Sequence, residues 1–121
     1  MVTRNVPRPS ERSELSDDEI DRLFHALATA TRRDILRRTI EREQSVSALA
    51  ADYDMSFAAV QKHVGVLESA GLIVKRAEGR ERLVRADPTM IARARALLSR
   101  YEDLWRARID RLDALLAEPE D

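Results

Sequence analysis

The sequence contains no cysteine among its 121 residues, and only 4% of them are aromatic. The missing thiol excludes disulfide bonds, thiolate metal ligands and thiol catalysis, and it is compatible with a reducing compartment. No uncharged apolar run exceeds four residues, so the sequence predicts neither a signal peptide nor a membrane-spanning helix. We therefore expect a cytoplasmic protein of one domain, which a chain of this length can form.

An excess of positive charge is also missing, since the formal net charge is -1. This excludes a uniformly basic coat, so any anion-binding surface must be local. Charge is unevenly distributed along the chain: residues 57–86 carry six lysines and arginines against three glutamates, whereas four of the five residues 17–21 are acidic. The basic stretch is thus the first candidate for contact with an anionic partner.

One helix is predicted from Ser56 to Leu72, with the sequence SFAAVQKHVGVLESAGL. Ser56 is a good N-cap, Gly71 stands where a left-handed C-cap is favoured, and apolar residues recur at helical spacing between them. These apolar residues are Val60, Val64 and Leu67. The rest of the chain is most simply interpreted as a scaffold that presents this helix to a partner.

The opposite face of this helix is typical of a surface that enters a groove of DNA. It carries small, amide or cationic residues, with no acidic residue before Glu68: Phe57, Ala58, Gln61, Lys62 and Gly65. Gln61 can offer a bidentate amide to adenine, Lys62 can meet guanine or phosphate, and Phe57 or Ala58 can touch a thymine methyl. The alternative is an ordinary amphipathic helix with a solvated face.

The flanking segments predict a helix-turn-helix with a wing. A short helix capped by Ser45 ends near Tyr53 and precedes the groove-fitting helix after a tight connection, which is the helix-turn-helix plan. Two strand-like runs follow, at 72–77 and 82–86, with Gly79 in the turn between them. They predict a two-stranded wing whose arginines suit phosphate or minor-groove contact.

The first part of the chain predicts an arm and two helices. Residues 1–15 lack a periodic apolar pattern and are expected to form a disordered arm, before a domain at 16–121. A helix opens at Ser16, whose spacing to Glu19 predicts a capping box. Its expected apolar face consists of Ile20, Leu23, Phe24 and Leu27. A second helix is expected near Thr31 with a cap formed by Thr31 and Asp34, and its arginines nearest the start could hold a phosphate. Its expected buried stripe consists of Ile35, Leu36, Thr39 and Ile40.

The last helix is expected at 88–117, because Asp87 and Pro88 break the preceding strand and no Gly or Pro follows until Pro119. Seven positions are spaced alternately four and three apart, and all but Arg108 are apolar: Ala94, Leu98, Tyr101, Trp105, Arg108, Leu112 and Leu115. This heptad-like spacing predicts packing against a second copy of the same helix. The candidate interface residues, including two from the first helix, are Leu23, Phe24, Leu98, Tyr101, Trp105, Leu112 and Leu115. The alternative is a helix folded back on its own core.

Four short sequence motifs together resemble those of the ArsR family of winged-helix transcriptional regulators, over about residues 17–116. They are TRRDIL at 31–36, SVSALAADYDMS at 45–56, VQKHVGVLESAGL at 60–72 and the wing GR at 79–80. The form MSFAAVQKH, with Trp105 and IDRL near the end, looks closest to metal-independent members. The resemblance implies a homodimeric repressor that binds an inverted repeat near promoters, commonly its own, and is released by an effector.

The metal sites of that family are not matched here. Family metal sensors use cysteines on the helix before the recognition helix, or His and acidic ligands on the last helix. Residues 46–53 contain no Cys and residues 90–117 no His, so we assign no metal ligand and no cofactor. One candidate remains, because Asp18 and Asp21 lie seven and four residues before His25, and two such sets could bind a divalent ion across a dimer.

The fold class predicted from the sequence is therefore mainly α with a small β-hairpin, a winged helix-turn-helix with a long dimerisation helix. The side chains expected to contact DNA come from the recognition helix and the wing: Ser56, Phe57, Ala58, Gln61, Lys62, His63, Arg76, Arg80 and Arg82. His63 also aligns with a frequent family histidine for which packing or a phosphate contact is expected. An enzyme is disfavoured by the absence of G-x-S-x-G and G-x-x-x-x-G-K motifs, and no aromatic pair is placed to stack RNA bases. The alternative function is a winged-helix protein-interaction module that does not recognise a DNA sequence.

Overall fold

The computed structural model describes residues 14–117. The elements in this range are α1 (Asp17–Ala26), α2 (Ala30–Glu41), β1 (Gln44–Ser45), α3 (Val46–Ala51), α4 (Phe57–Ser69), β2 (Ile73–Glu78), β3 (Glu81–Ala86) and α5 (Pro88–Ala117). Residues 15–91 form one compact unit, and a second unit contains Glu14 together with α5 from Ala92 onward. The arm predicted at 1–15 lies outside the described residues except for Glu14 and Leu15. Leu15, which the sequence assigned to the arm, is buried.

Three of the four predicted helix caps are confirmed. The Ser16 hydroxyl accepts from the Glu19 amide while the Glu19 carboxylate accepts from the Ser16 amide, which completes the capping box of α1. Ser45 and Ser56 cap α3 and α4 in the same way, each accepting from the amide three residues later. The predicted cap at Thr31 is wrong, because Thr29 caps α2 by accepting from the Arg32 amide.

The buried stripe of α2 also differs from the prediction. Ile35 and Thr39 are buried as expected, but Leu36 is only half-buried and Ile40 is 56% exposed. Arg32 takes the remaining buried position, one helical turn before Ile35. The stripe is therefore rotated toward Arg32, a residue that side-chain polarity alone had assigned to the surface.

Helices α3 and α4 enclose the centre of the compact unit. Leu49 of α3 packs into the same core as the apolar stripe of α4, in which Val60, Val64 and Leu67 are at most 1% exposed. After Ala70, the C-cap of α4, Gly71 has a φ of +78°, so the predicted left-handed residue at the helix end is confirmed. One face of α4 is thus anchored in the core, and the opposite face is exposed to solvent.

The wing hairpin belongs to a three-stranded antiparallel sheet of order β1-β3-β2. The hairpin of β2 and β3 is confirmed within one residue of the prediction, with Glu78 opposite Glu81 and a φ of +60° at Gly79 in the two-residue turn. The third strand was not predicted: Gln44 and Ser45 pair with Val84 and Leu83 of β3. This strand attaches the root of the wing to the start of the helix-turn-helix.

Helix α5 extends over 30 residues without interruption, which corresponds to roughly 45 Å. From Leu98 onward it leaves large apolar side chains exposed: Leu98, Tyr101, Leu104, Trp105, Ile109, Leu112, Leu115 and Leu116. Across residues 14–117, none of the helices combines the length and the apolar character needed to cross a membrane.

Candidate nucleic-acid interface

The exposed face of α4 contains the residues that the sequence predicted to contact bases. Phe57 is 46% exposed, and Ala58, Gln61 and Lys62 are exposed beside it. The Ser56 hydroxyl at the start of this face is held by the cap, where it accepts from the Ala59 amide at 3.1 Å. The outer surface of the helix therefore combines one apolar, one small, one amide and one cationic side chain within its first two turns.

The polar side chains of this surface differ in whether they are already engaged. Gln61, Lys62, Arg80 and Arg82 make no side-chain hydrogen bond or ion pair with another residue of 14–117. In contrast, Arg76 donates to both carboxylate oxygens of Glu43, at 3.1 and 2.8 Å, and lies 3.0 Å from Glu78. Its hydrogen bonds lower the pKa of the Glu43 carboxyl. Arg76 thus ties β2 to the segment before β1, and a contact with DNA would compete with these ion pairs.

The buried guanidinium of Arg32 connects three segments behind the recognition helix. Its Nε donates to the Ala26 carbonyl at 2.9 Å, and Nη2 donates to the His25 carbonyl at 3.0 Å. These carbonyls belong to the last turn of α1, where a cation is favourable, and the His25 carbonyl also accepts from the Ala28 amide at 3.2 Å. Nη1 lies 3.0 Å from Nδ1 of His63 on α4. The prediction that the first arginines of α2 hold a phosphate is therefore wrong for Arg32, whose donors serve the protein itself.

His63 consequently faces Arg32 with one ring nitrogen. A guanidinium has donors only, so Nδ1 must be the acceptor and the proton of the neutral ring lies on Nε2. Burial lowers the pKa of the His63 imidazole, and the nearby charges of Arg32 and Lys62 lower it further. The structure supports a packing role for His63, while its contact with DNA stays a prediction.

The pH dependence of stability should report this contact. At pH values between the ordinary histidine pKa near 6.5 and the lower pKa of His63 in the folded protein, the His63 imidazole is protonated in the unfolded chain and neutral in the folded one. The free energy of unfolding should therefore fall as the pH drops below about 6.5. Urea titrations from pH 8 to pH 5 would measure it, and His63→Gln should flatten this part of the profile. An unchanged slope in the variant would contradict the assignment.

A second network holds α2 against the end of α3. The Tyr53 hydroxyl donates to Asp34, and Arg38 donates to Asp52 while its guanidinium lies 5.5 Å from the centre of the Tyr53 ring. The hydrogen bond from Tyr53, followed by that from Arg37, lowers the pKa of Asp34. Tyr53 was predicted only as the end of a short helix, and no local pattern in the sequence indicates these contacts across 14 to 19 residues.

The candidate dimer residues are placed in two environments. Leu23 is 2% exposed, so it belongs to the core of the subunit and has almost no surface to share with a second copy. Phe24, its neighbour on α1, is 49% exposed. The α5 candidates are all exposed: Leu98, Tyr101, Trp105, Leu112 and Leu115. Leu23 is thus a core residue of the subunit, and the part that the exposed candidates play in a dimer stays a prediction.

The remaining metal candidate finds no support within one chain. Among residues 14–117, no three His, Asp or Glu side chains lie close enough together to hold a metal ion. This includes His25 with Asp18 and Asp21, which follow one helical face in the sequence. Asp18 instead lies in the first turn of α1, where negative charge favours the N-terminal end of a helix.

Comparison with known proteins supports the same arrangement. A family model described as a helix-turn-helix domain matches residues 27–76, which run from the end of α1 into β2. The HTH-type transcriptional regulator Rv2034 of Mycobacterium tuberculosis is 40% identical over 81 residues, covering 67% of this chain and 76% of the relative. The crystal structure of an ArsR family transcriptional regulator is 30% identical, with a TM-score of 0.72 over 77% of this chain and 96% of the other.

The chain belongs to the ArsR family of transcriptional regulators. Another structural relative is the homodimeric winged helix-turn-helix DNA-binding domain Mb0332 of Mycobacterium bovis. It is 29% identical with a TM-score of 0.58, and the match covers 74% of this chain and 88% of that one. This ArsR-family member is thus a transcriptional regulator with a helix-turn-helix DNA-binding domain, in which α3 and α4 form the motif and β2 and β3 the wing. It belongs to a class of proteins that are not enzymes.

Proposed function

We propose that this regulator is a homodimeric repressor that binds an inverted repeat in promoter DNA, including that of its own gene. The proposal rests chiefly on one observation: the exposed face of α4 and the tip of the wing present Gln61, Lys62, Arg80 and Arg82 without partners among residues 14–117. Donors that no internal acceptor satisfies are available for base edges and phosphates. The net charge of -1 is compatible with this, because residues 57–86 carry six lysines and arginines against three glutamates.

Homodimerisation is supported by the exposed apolar side of α5. Leu98, Tyr101 and Trp105 are each 56–60% exposed, and a continuous apolar surface of this kind on a helix favours association. A twofold axis between two copies of α5 would give the dimer two recognition helices, about 34–36 Å apart where they meet successive turns of one face of B-DNA. A dimer that covers such a repeat within a promoter would exclude RNA polymerase, which is the basis for proposing repression.

Footprinting on the DNA upstream of its own gene tests the function directly. Protection of two half-sites related by a twofold axis is the expected result, with loss of transcription from that promoter when the protein is added. Protection without a preferred site, at concentrations that also bind scrambled DNA, would favour the protein-interaction alternative.

Gln61 and Arg80 should separate base recognition from positioning on the DNA backbone. Gln61→Ala should remove a bidentate base contact worth about 1–3 kcal/mol and relax the preference at one position in each half-site, with little effect on random DNA. Arg80→Ala should weaken both DNAs more evenly, and each lost phosphate contact should reduce the slope of log affinity against log salt by about 0.9. Fluorescence anisotropy with specific and scrambled duplexes at several salt concentrations would measure both effects.

A matched control for Arg80 is Arg95→Ala, which removes an exposed arginine from α5 instead of the wing. It should leave both affinities and the salt slope unchanged. The assignment of α4 would fail if Gln61→Ala weakened both DNAs alike while Arg80→Ala affected neither.

A further inference from the structure

A groove of about 350 Å³ lies within the compact unit 15–91, on the side where α2 ends, β3 ends and α5 begins. Its volume is within the lower part of the range for small-molecule sites. None of the side chains proposed to contact DNA lines it. The groove therefore needs an explanation separate from DNA recognition.

One wall of the groove is apolar and open to solvent. Ile40, on the outward side of α2, is 56% exposed, and Pro88 and Ile91 of the first turn of α5 face the same space. Ile40 stands on a helix whose other exposed positions are mainly charged, namely Arg33, Arg37 and Glu41. The three side chains together offer a short apolar surface of a size suited to an alkyl chain.

The polar rim of the groove carries two guanidinium groups with unused donors. Arg42 and Arg85 line it, and neither makes a side-chain hydrogen bond or ion pair with another residue of 14–117. Glu43 is the acidic residue of the lining, but both of its carboxylate oxygens accept from Arg76. Arg85 acts on this carboxylate only through its charge, by lowering the pKa of Glu43. The rim is thus complementary to an anion of a shape that two arginines can bind.

We propose that this groove binds an aliphatic monocarboxylate, with the alkyl chain against Ile40, Pro88 and Ile91 and the carboxylate on Arg42 and Arg85. The site goes beyond the proposed DNA-binding function and uses a separate set of side chains. Its bound ligand would contact the last residues of β3 and the first turn of α5, so it would touch both the root of the wing and the start of the long helix.

Calorimetric titration of the full chain with octanoate, in the absence of DNA, tests the site independently of the proposed function. Octanoate should bind with a dissociation constant below about 1 mM, octanol and acetate much more weakly. The double variant Arg42→Gln with Arg85→Gln should weaken octanoate at least roughly tenfold. The matched control Arg22→Gln, an exposed arginine of α1 outside the groove, should leave binding unchanged.

Two further arms examine the apolar wall and the head group. Ile40→Asp should abolish octanoate binding while Ile40→Leu retains it, and because the position is exposed both variants should unfold at the same urea concentration as the parent. Octyl sulfate binding that also requires both arginines would support the site and widen its ligands to other anionic head groups. The proposal is overturned if octanoate shows no saturable binding, if octanol binds equally well, or if the double variant and Ile40→Asp both bind like the parent.

Discussion

Replacement of Trp105 and Leu112 together by aspartate should convert the proposed dimer into a monomer. The two side chains lie seven residues apart on the exposed apolar side of α5, where they are 60% and 47% exposed in the single chain. In an interface formed by two copies, each aspartate would place a charge in an apolar contact and lose its hydration, at a cost of several kcal/mol. Light scattering at micromolar concentration should report half the mass of the parent.

Specific DNA affinity should collapse in the same variant, because each monomer can reach only one half-site. A loss of one half of the contacts corresponds to at least a hundredfold weaker binding, or about 2.8 kcal/mol. Circular dichroism should retain most of the helical signal, since the core of residues 15–91 contains neither position. Affinity for random DNA should fall much less.

Ala107→Asp with Ala114→Asp is the matched control. These alanines also lie seven residues apart on α5, but about half a turn away from Trp105 and Leu112, so they add the same charges to the opposite face. This variant should remain dimeric and bind DNA like the parent. A monomeric parent protein, or a dimer that survives Trp105→Asp with Leu112→Asp, would contradict the proposed interface.

Replacement of Arg32 by methionine should cause the largest loss of stability of any single arginine substitution in α2. The variant keeps an unbranched apolar stem but removes the donors that serve the Ala26 and His25 carbonyls and His63. The hydrogen bond to the Ala26 carbonyl is buried and those to His25 and His63 are partly buried. A buried acceptor that loses a charged donor costs about 1–3 kcal/mol and a partly buried one less, so the total should reach about 3 kcal/mol. Urea denaturation followed by circular dichroism would measure it.

The neighbouring arginine provides the control. Arg33 is exposed and donates once to the Leu27 carbonyl at 2.8 Å, so Arg33→Met should change the free energy of unfolding by no more than about 1 kcal/mol. Equal losses in the two variants would show that burial of Arg32 contributes nothing, and would refute its role in joining α1 to the recognition helix.

The features that could be predicted from the sequence are those specified by neighbouring residues. Three helix starts could be predicted from Ser16, Ser45 and Ser56, because each serine caps its helix through an amide only three residues away. The recognition helix and the wing hairpin follow from periodicity and from Gly71 and Gly79 in the same local way. The exposed face of α4 could be predicted for the same reason, because helical periodicity alone places its residues opposite the apolar stripe.

What could not be predicted depends on residues far apart in the chain. Strand β1 has only two residues and exists because β3, nearly forty positions later, supplies its partners. Arg32 is buried because the last carbonyls of α1 lie beside it and accept its hydrogen bonds. These hydrogen bonds outweigh the usual preference of a guanidinium for water. Ile40 is exposed because that rotation of α2 moves it out of the core. In each case a tertiary contact overrides the local pattern.

Because strand β1 is short, the wing resembles a beam that is fixed at its root and free at its tip. β1 pairs with β3 only at Leu83 and Val84. From Arg82 to the Gly79–Arg80 turn, β3 is therefore hydrogen-bonded to β2 alone. The deflection of a beam grows steeply with its free length, so in the proposed complex the place where β1 stops would set how far the tip moves toward DNA and how accurately it is positioned. A longer β1 would stiffen the tip and narrow the range of groove shapes it can follow, whereas a longer hairpin would extend its reach at the expense of aim.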